Sequence, residues 1–237
     1  MLFSFVKGSP ALIIKKEGIL VAGDLHIGKE FRLEKSGLHF ADATRKMALE
    51  LLDIYRKTHA RRLVLLGDIK DTIGYPPREE FEALASFFNE FRHIKVTVVK
   101  GNHDAHLAEL LGRIGMAAPV VRELLLRDIA MIHGNALPSS LAMTKKYIIA
   151  GHSHIAVNAG GAVAKGWLLA CPGKETEERY AGYNKSIKLL VMPAFSSLIT
   201  GVTVGIDSDG MSMPLMRNRI FDLSTARIYD LDGKLVK

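Results

Sequence analysis

Leu63-Val64-Leu65-Leu66-Gly67-Asp68 is a short run of branched apolar residues that stops on a glycine and a carboxylate. Four such residues without polar alternation suit a strand of a parallel sheet that is covered on both faces. The same arrangement recurs on either side of it. Ile19–Gly23 leads into Asp24-Leu25-His26, and Val96–Gly101 into Asn102-His103-Asp104. Ile129–Ile132 leads into His133, and Tyr147–Gly151 into His152-Ser153-His154. Ligands of open α/β sheets bind in the crevice outside the carboxyl ends of the strands, so five strands ending on Asp, Asn or His would pool their polar tips in one place.

Between the early runs the period changes from strand to helix. Ala41 to His59 puts Met47, Ala48, Leu51, Leu52 and Tyr55 on one stripe, and Arg78 to Arg92 does the same with Phe81, Leu84, Ala85 and Phe88. Both read as surface helices packed on a sheet, which makes the first half a series of right-handed βαβ units. After Asn135 helix signals thin out. Strand-like runs at Leu168–Ala170, Ile187–Met192, Val202–Ile206 and Ile228–Leu231 are separated by Gly, Pro and Asp-Gly turns, as in a second sheet that is mixed or antiparallel. Two sheets packed face to face, with helices outside, would align the ligand-bearing loops along one edge of a single core. No repeat or linker divides the chain, and one domain over residues 1–237 is expected.

Composition sets wide bounds. The 237 residues are 48% hydrophobic, enough for a well-buried core. No stretch approaches the length of a membrane span, and Met1–Lys16 lacks the apolar core of a signal peptide, so a cytoplasmic protein is expected. The lone cysteine, Cys171, ends the apolar run Trp167–Ala170 and reads as a buried thiol. A net charge of +7 favours anionic partners without naming one, because the basic pairs are scattered along the chain.

The chemistry lies in the strand ends. Phosphate esters are anionic and slow to hydrolyse, and a pair of divalent ions can acidify a bridging water and neutralise the developing charge. Such a pair needs a bridging carboxylate, for which Asp68 is the natural candidate, and mixed His, Asp and Asn ligands around it. Asp24 and His26, two apart on an extended segment, can turn toward one ion. Any one of these elements is common by chance; their conjunction in this order, each after an apolar run, is what points to a site.

Gly-Asp-Leu-His, Gly-Asp-Ile-Lys-Asp, Gly-Asn-His-Asp, His-Gly and Gly-His-Ser-His, from Gly23 to His154, resemble the motifs of the calcineurin-like metallophosphoesterases. The resemblance implies a four-layer α/β/β/α sandwich of two mixed sheets and a dinuclear metal site. By it, Asp24, His26, Asp68 and His154 would hold one ion, and Asp68, Asn102, His133 and His152 the other. Mn is the first expectation, with Fe, Zn, Ni or Mg also compatible with N/O ligands. His103 would be the proton donor. It follows a ligand directly and would project toward substrate, where an imidazolium can protonate a leaving alkoxide. Its orienting carboxylate would be Asp71, with Asp104 the competing candidate.

Asp24-Leu25-His26-Ile27-Gly28-Lys29-Glu30, followed by Gly37-Leu38, is similar to the small SbcD-related archaeal phosphoesterases and the phosphoesterases associated with DNA ligases. Within that pattern Ala41 stands where Pro is frequent, Lys70 where an apolar residue is frequent, and Asn135 where a second His often follows. The long loop Gly28–Phe40 brings Lys29 and Arg32 as candidate phosphate contacts, surface charge being the other reading. No separate DNA-capping domain is expected. The expected activity is a phosphodiesterase on single-stranded nucleic acid or a cyclic nucleotide. A phosphomonoesterase on a nucleotide or small metabolite, or a non-catalytic metal-binding scaffold, are the alternatives.

Overall fold

The computed structural model describes residues 2–159, 162–203 and 213–236. The first half builds β1 (Ser4–Phe5), β2 (Leu12–Ile14), β3 (Ile19–Ala22), α1 (Lys29–Glu34), α2 (Ala43–Lys57), β4 (Arg62–Leu66), α3 (Arg78–Asn89), β5 (Val96–Val99), α4 (Leu107–Arg113) and β6 (Val120–Val121). Its strands form one sheet in the order β1-β2-β3-β4-β5-β6. From β3 to β6 the pairing is parallel, as the unbroken apolar runs require, while β1 and β2 extend the sheet as an antiparallel meander.

The chain then crosses to a second sheet. It adds β7 (Glu123–Leu125), β8 (Ile129–Ile132), α5 (Ser140–Met143), β9 (Tyr147–Ala150), β10 (Ile155–Ala159), β11 (Ala162–Lys165), β12 (Trp167–Pro172), α6 (Glu175–Arg179), β13 (Lys188–Val191), β14 (Val202–Thr203), α7 (Pro214–Arg217) and β15 (Phe221–Tyr229). The second large sheet has the order β15-β12-β13-β9-β8-β7, parallel at its centre and antiparallel at both sides. A three-stranded sheet, β11-β10-β14, stands apart.

Both large sheets are mixed, and their faces divide the core into three layers of side chains. Leu63 and Leu65 of β4 point to α2, α3 and α4, in a cluster with Leu51, Leu84, Phe87 and Leu110. The alternate residues Val64 and Leu66 point the other way, against Ile149, Met131, Leu190 and Trp167 of the second sheet. Beyond that sheet, Ile148, Leu189 and Leu168 meet Met143, Leu215 and Met216 from the outer helices. The period-2 alternation of a strand thus assigns every second residue to a different layer, and the result is an α/β/β/α sandwich.

Three expectations change. The five apolar runs do not belong to one sheet: β3, β4 and β5 lie in the first, β8 and β9 in the second. The switch falls at Arg122, between β6 and β7, and not after Asn135, because a crossover between stacked sheets needs no change in apolar texture. Cys171 is exposed. It lies at the register shift between Leu169 and Cys171 in the β12–β15 pairing, outside all three core clusters. Of the run expected at Val202–Ile206, Val202–Thr203 form β14 and residues 204–206 lie outside the described residues.

Among the described residues no helix is long and apolar enough to cross a membrane. Trp167 is fully buried between the two large sheets and stacks on Phe5 with ring centroids 4.3 Å apart. Trp167→Ala is expected to destabilise the fold by about 3–5 kcal/mol, read as a lower urea midpoint with unchanged m-value. A shift corresponding to less than about 1 kcal/mol would mean that the sheet-to-sheet layer is not the main core.

Candidate metal centre

The two stacked sheets have β3, β4, β5, β8 and β9 ending on the same side, and the loops beyond those ends face one another. The first is a continuation of strand pairing. Asp24 N donates to Gly67 O, His26 N to Asp68 O and Ile27 N to Ile69 O, each at 2.9 Å. Leu25, Ile27 and Ile69 are fully buried in the helix-side core. That anchors the alternate residues Asp24, His26 and Asp68 on the opposite side, which is the physical reason for an Asp-x-His spacing of two.

Two sets of ligand atoms converge there, each within 4.8 Å: Asp24, His26, Asp68 and His154, and Asp68, His133 and His152. Asp68 belongs to both. Its Oδ1 accepts from His103 N at 2.9 Å, while Oδ2 lies 3.2 Å from His133 Nε2 and 3.8 Å from His26 Nε2. The fourth expected ligand of the second set, Asn102, places Oδ1 3.2 Å from His133 Nε2. In the first set Asp24 Oδ1 is 3.1 Å from His154 Nε2, and the Nε2 atoms of His26 and His154 face each other at 3.4 Å.

Backbone strain is concentrated on these same residues. Asp24, His26, Asp68, His152 and His154 all have positive φ, between 42° and 68°. Non-glycine residues pay for that conformation, and it persists where the surroundings over-determine it, typically at functional sites. Two glycines explain how the strand ends come so close. Gly67 has φ 75°, and a Cβ there would run into the His133 ring. A Cβ on Gly101 would run into Asp68, at its backbone N and Oδ1.

The donor set fits hard divalent ions. Burial opposes the charge of Asp68, but a hydrogen bond from His133 and the positive charge of His133 and His103 hold its carboxyl below the usual carboxylate range. Burial also opposes charge on His133, yet the hydrogen bond to Asp68 and the charges of Asp24 and Asp68 lift it to about 9. As a ligand it must give up that proton. The contact of Nδ1 with Leu66 O at 3.2 Å then leaves the lone pair on Nε2, facing Asp68 and Asn102. His152 is driven down to about 4 by burial and by the His133 charge, and its Nδ1 is buried without a hydrogen-bond partner. Strained, neutral or ionised ligands with an orphaned imidazole nitrogen are what a metal pair would complete.

The structure gives Asp71 and Asp104 different surroundings from those expected. The Asp71 carboxylate faces His26 Nδ1 at 3.3 Å, Lys29 Nζ at 3.7 Å and Arg32 Nε at 3.1 Å. It is the Asp71 backbone carbonyl that meets His103 Nδ1. His103 is therefore oriented by a main-chain oxygen and not by a carboxylate, while the side chain of Asp71 reaches a candidate metal ligand. Asp104 is buried with its pKa raised by desolvation, and its oxygens accept from Ile69 N and Gly101 N, each at 2.8 Å. It ties the β4 loop to the β5 loop. Lys29 and Arg32, the candidate phosphate contacts, are paired to Asp71.

Sequence reading also left Lys70 unexplained. Its residue is fully buried in the slot of an apolar side chain, and Nζ donates to the carbonyls of Thr72, Ile73 and Gly74. The ammonium thereby holds the turn after Asp71. The loop at residues 194–196 was not foreseen either: Phe195 N and Ser196 N donate to Gly23 O and Asp24 O, and Lys165 Nζ caps its carbonyls. No local pattern in residues 194–196 marks that role.

Calcineurin-like phosphoesterase superfamily domain is the family model that matches, over residues 18–189, and the chain belongs to that superfamily. By family and fold it is a calcineurin-like metallophosphoesterase, in a family that uses two metal ions. No curated protein sequence matches it. Among solved structures, the Pseudomonas putida nuclease MPE is similar over 97% of each chain at 16% identity, with a TM-score of 0.65. The phosphoesterase Yfce of E. coli matches over 92% of this chain and 96% of its own at 17% identity, with a TM-score of 0.41.

Two outcomes test the centre. Asp68→Asn is expected to abolish retention of both metal ions, measured as metal content after gel filtration; a variant that keeps two ions per chain would remove Asp68 from the bridging position. Asp71→Asn should weaken one of two calorimetric metal-binding steps by about 10–100-fold and leave the other nearly unchanged, the effect expected of a carboxylate behind a ligating histidine. Equal weakening of both steps would count against that assignment.

Proposed function

We propose that the chain is a dinuclear-metal-dependent phosphodiesterase of nucleic acid or nucleotides, with His103 as proton donor to the leaving oxygen. The position of His103 carries this reading. Its backbone N–H is fixed to Asp68 Oδ1, and its ring stands beside His26 with centroids 4.9 Å apart. Its Nδ1 is occupied by the Asp71 carbonyl, so any proton exchanged with substrate travels through Nε2. Nε2 lies 4.0 Å from Asp68 Oδ2, and the side chain is 20% exposed, between the buried ligands and solvent.

Asp24, His26, Asp68 and His154 would hold one ion, and Asp68, Asn102, His133 and His152 the other. Ions bound there supply an acidified water as nucleophile and positive charge for the phosphoryl oxygens. Manganese is the first candidate, on the chemistry of mixed N/O ligands. His103 then protonates the leaving alkoxide at Nε2 in its imidazolium form. A diester is favoured because its second substituent, on a non-leaving oxygen, needs space beside the metal ligands, and the cleft lined by Asn102 and His133 offers it. The net charge of +7 and the likeness in fold to a protein named as a nuclease agree with a polyanionic substrate.

The decisive assay compares Mn-dependent hydrolysis of a chromogenic phosphodiester and the matching monoester by metal-stripped protein. The diester should turn over faster. His103→Ala should keep its metal content and lose about 10²–10⁴-fold in turnover, most with poor leaving groups. Preference for the monoester would replace the diesterase by a phosphomonoesterase, and a uniform loss across leaving groups would make His103 a positioning residue.

A further inference from the structure

Two cations stand side by side just past the ends of β5 and β6. Val99 and Val121 are partners in the parallel register, Lys100 and Arg122 are the next residues, and Lys100 N donates to Val121 O at 2.8 Å. Neighbouring strands lie about 4.8 Å apart, so the two backbones are adjacent at this level. Both residues are exposed. Like charges set against each other across a sheet are unfavourable unless an anion joins them.

Neither residue makes an ion pair among the described residues, in contrast to Lys29 and Arg32, which both pair with Asp71. The adjacent Glu123 carboxylate is already taken by Ser139, through N at 2.7 Å and Oγ at 2.6 Å. Arg122 Nη2 reaches Leu137 O at 3.4 Å, which leaves the other guanidinium donors free.

The pair borders a cleft of ≈ 420 Å³ lined by Asn102 and His133 as well as by Val121, Ile132 and Leu137. Its size lies in the range of about 300–1,000 Å³ of clefts that hold small ligands. One end therefore carries Asn102 and His133 of the second ligand set, the walls between combine Val121, Ile132 and Leu137 with Glu123 and Asn135, and the rim carries two cations without an ion pair among the described residues.

We propose that this cleft holds the nucleotide next to the scissile phosphate of a single-stranded nucleic acid, and that Lys100 and Arg122 bind the neighbouring phosphate. The inference rests on the phosphodiesterase reading above and names its substrate class. A mononucleotide or a small cyclic diester would place its phosphate at the metal ligands and leave the Lys100–Arg122 pair unsatisfied. A polynucleotide supplies the next phosphate as part of the same molecule. The strand is single, because His133 is nearly fully buried at the end of a cleft sized for one nucleotide, and a base freed from pairing can lie against Val121, Ile132 and Leu137.

The test is fluorescence anisotropy of a labelled twelve-residue oligothymidylate with the full chain in EDTA, where no hydrolysis occurs. Lys100→Ala with Arg122→Ala is expected to weaken binding about tenfold and to flatten the log–log salt slope by about 0.7, the value for the one phosphate that the pair holds on a single strand. Lys15→Ala with Lys16→Ala removes the same charge from the β2–β3 turn, at the opposite end of β3 from the ligands, and should change affinity less than about twofold. Equal weakening by the two double variants, or no weakening by the first, would overturn the proposal. An excess of a duplex of the same length should compete poorly; competition as strong as that of the single strand would also overturn it. Wild-type protein that binds through this pair but hydrolyses no diester would uphold the cleft while removing the diesterase reading.

Discussion

The Asp68 carboxylate is the constraint on which the site depends. One oxygen is fixed by the His103 backbone N–H, and the other is turned toward His133 of the second sheet and His26 of the first. Because the residue is 2% exposed, its charge is tolerated only while those partners surround it. The close approach of the two sheets follows. Gly67 and Gly101 on either side of the carboxylate have no room for a Cβ, so the strand ends can be brought together only by residues without side chains.

This approach costs backbone strain, and the core offsets it. The ligand residues with positive φ each sit one or two positions from fully buried apolar neighbours, such as Leu25 beside Asp24 and His26, or Ile69 beside Asp68. Those neighbours are locked into the helix-side layers of the two sheets, and they leave the polar residues no other direction. Rigid elements thus hold groups in place that water would otherwise separate, and a metal pair or a phosphate meets a site already arranged.

Charge is partitioned around the centre. On the side of α1, Lys29 and Arg32 are spent on Asp71, which in turn faces His26. At the turn after Asp71, the Lys70 ammonium is spent on backbone carbonyls. On the side of β6, Lys100 and Arg122 remain unpaired among the described residues. Positive charge on one side therefore stabilises the protein's own polar groups, and on the other it is left for an anion. Net charge counts both kinds alike, which is why +7 on its own said so little about the substrate.

The ligand residues were legible in the sequence because each follows an apolar run that can only be a buried strand, and strand ends are where such sheets carry their sites. The helices α2 and α3 were legible from their stripes, and the four layers from a resemblance in motif order. Where Asp71 points was not legible, since a carboxylate three residues past Asp68 can satisfy any cation the fold brings near, and the fold brought His26, Lys29 and Arg32. Nor were the exposure of Cys171, the crossover at Arg122 or the neighbourhood of Lys100 and Arg122, which lie 22 positions apart and meet only through the β5–β6 register. The sequence by itself determined which groups are polar in an apolar context; the tertiary structure decided which of them face one another. The physical reason is that burial follows from local pattern, whereas pairing between distant groups depends on strand order and sheet-to-sheet packing, to which no single segment is bound.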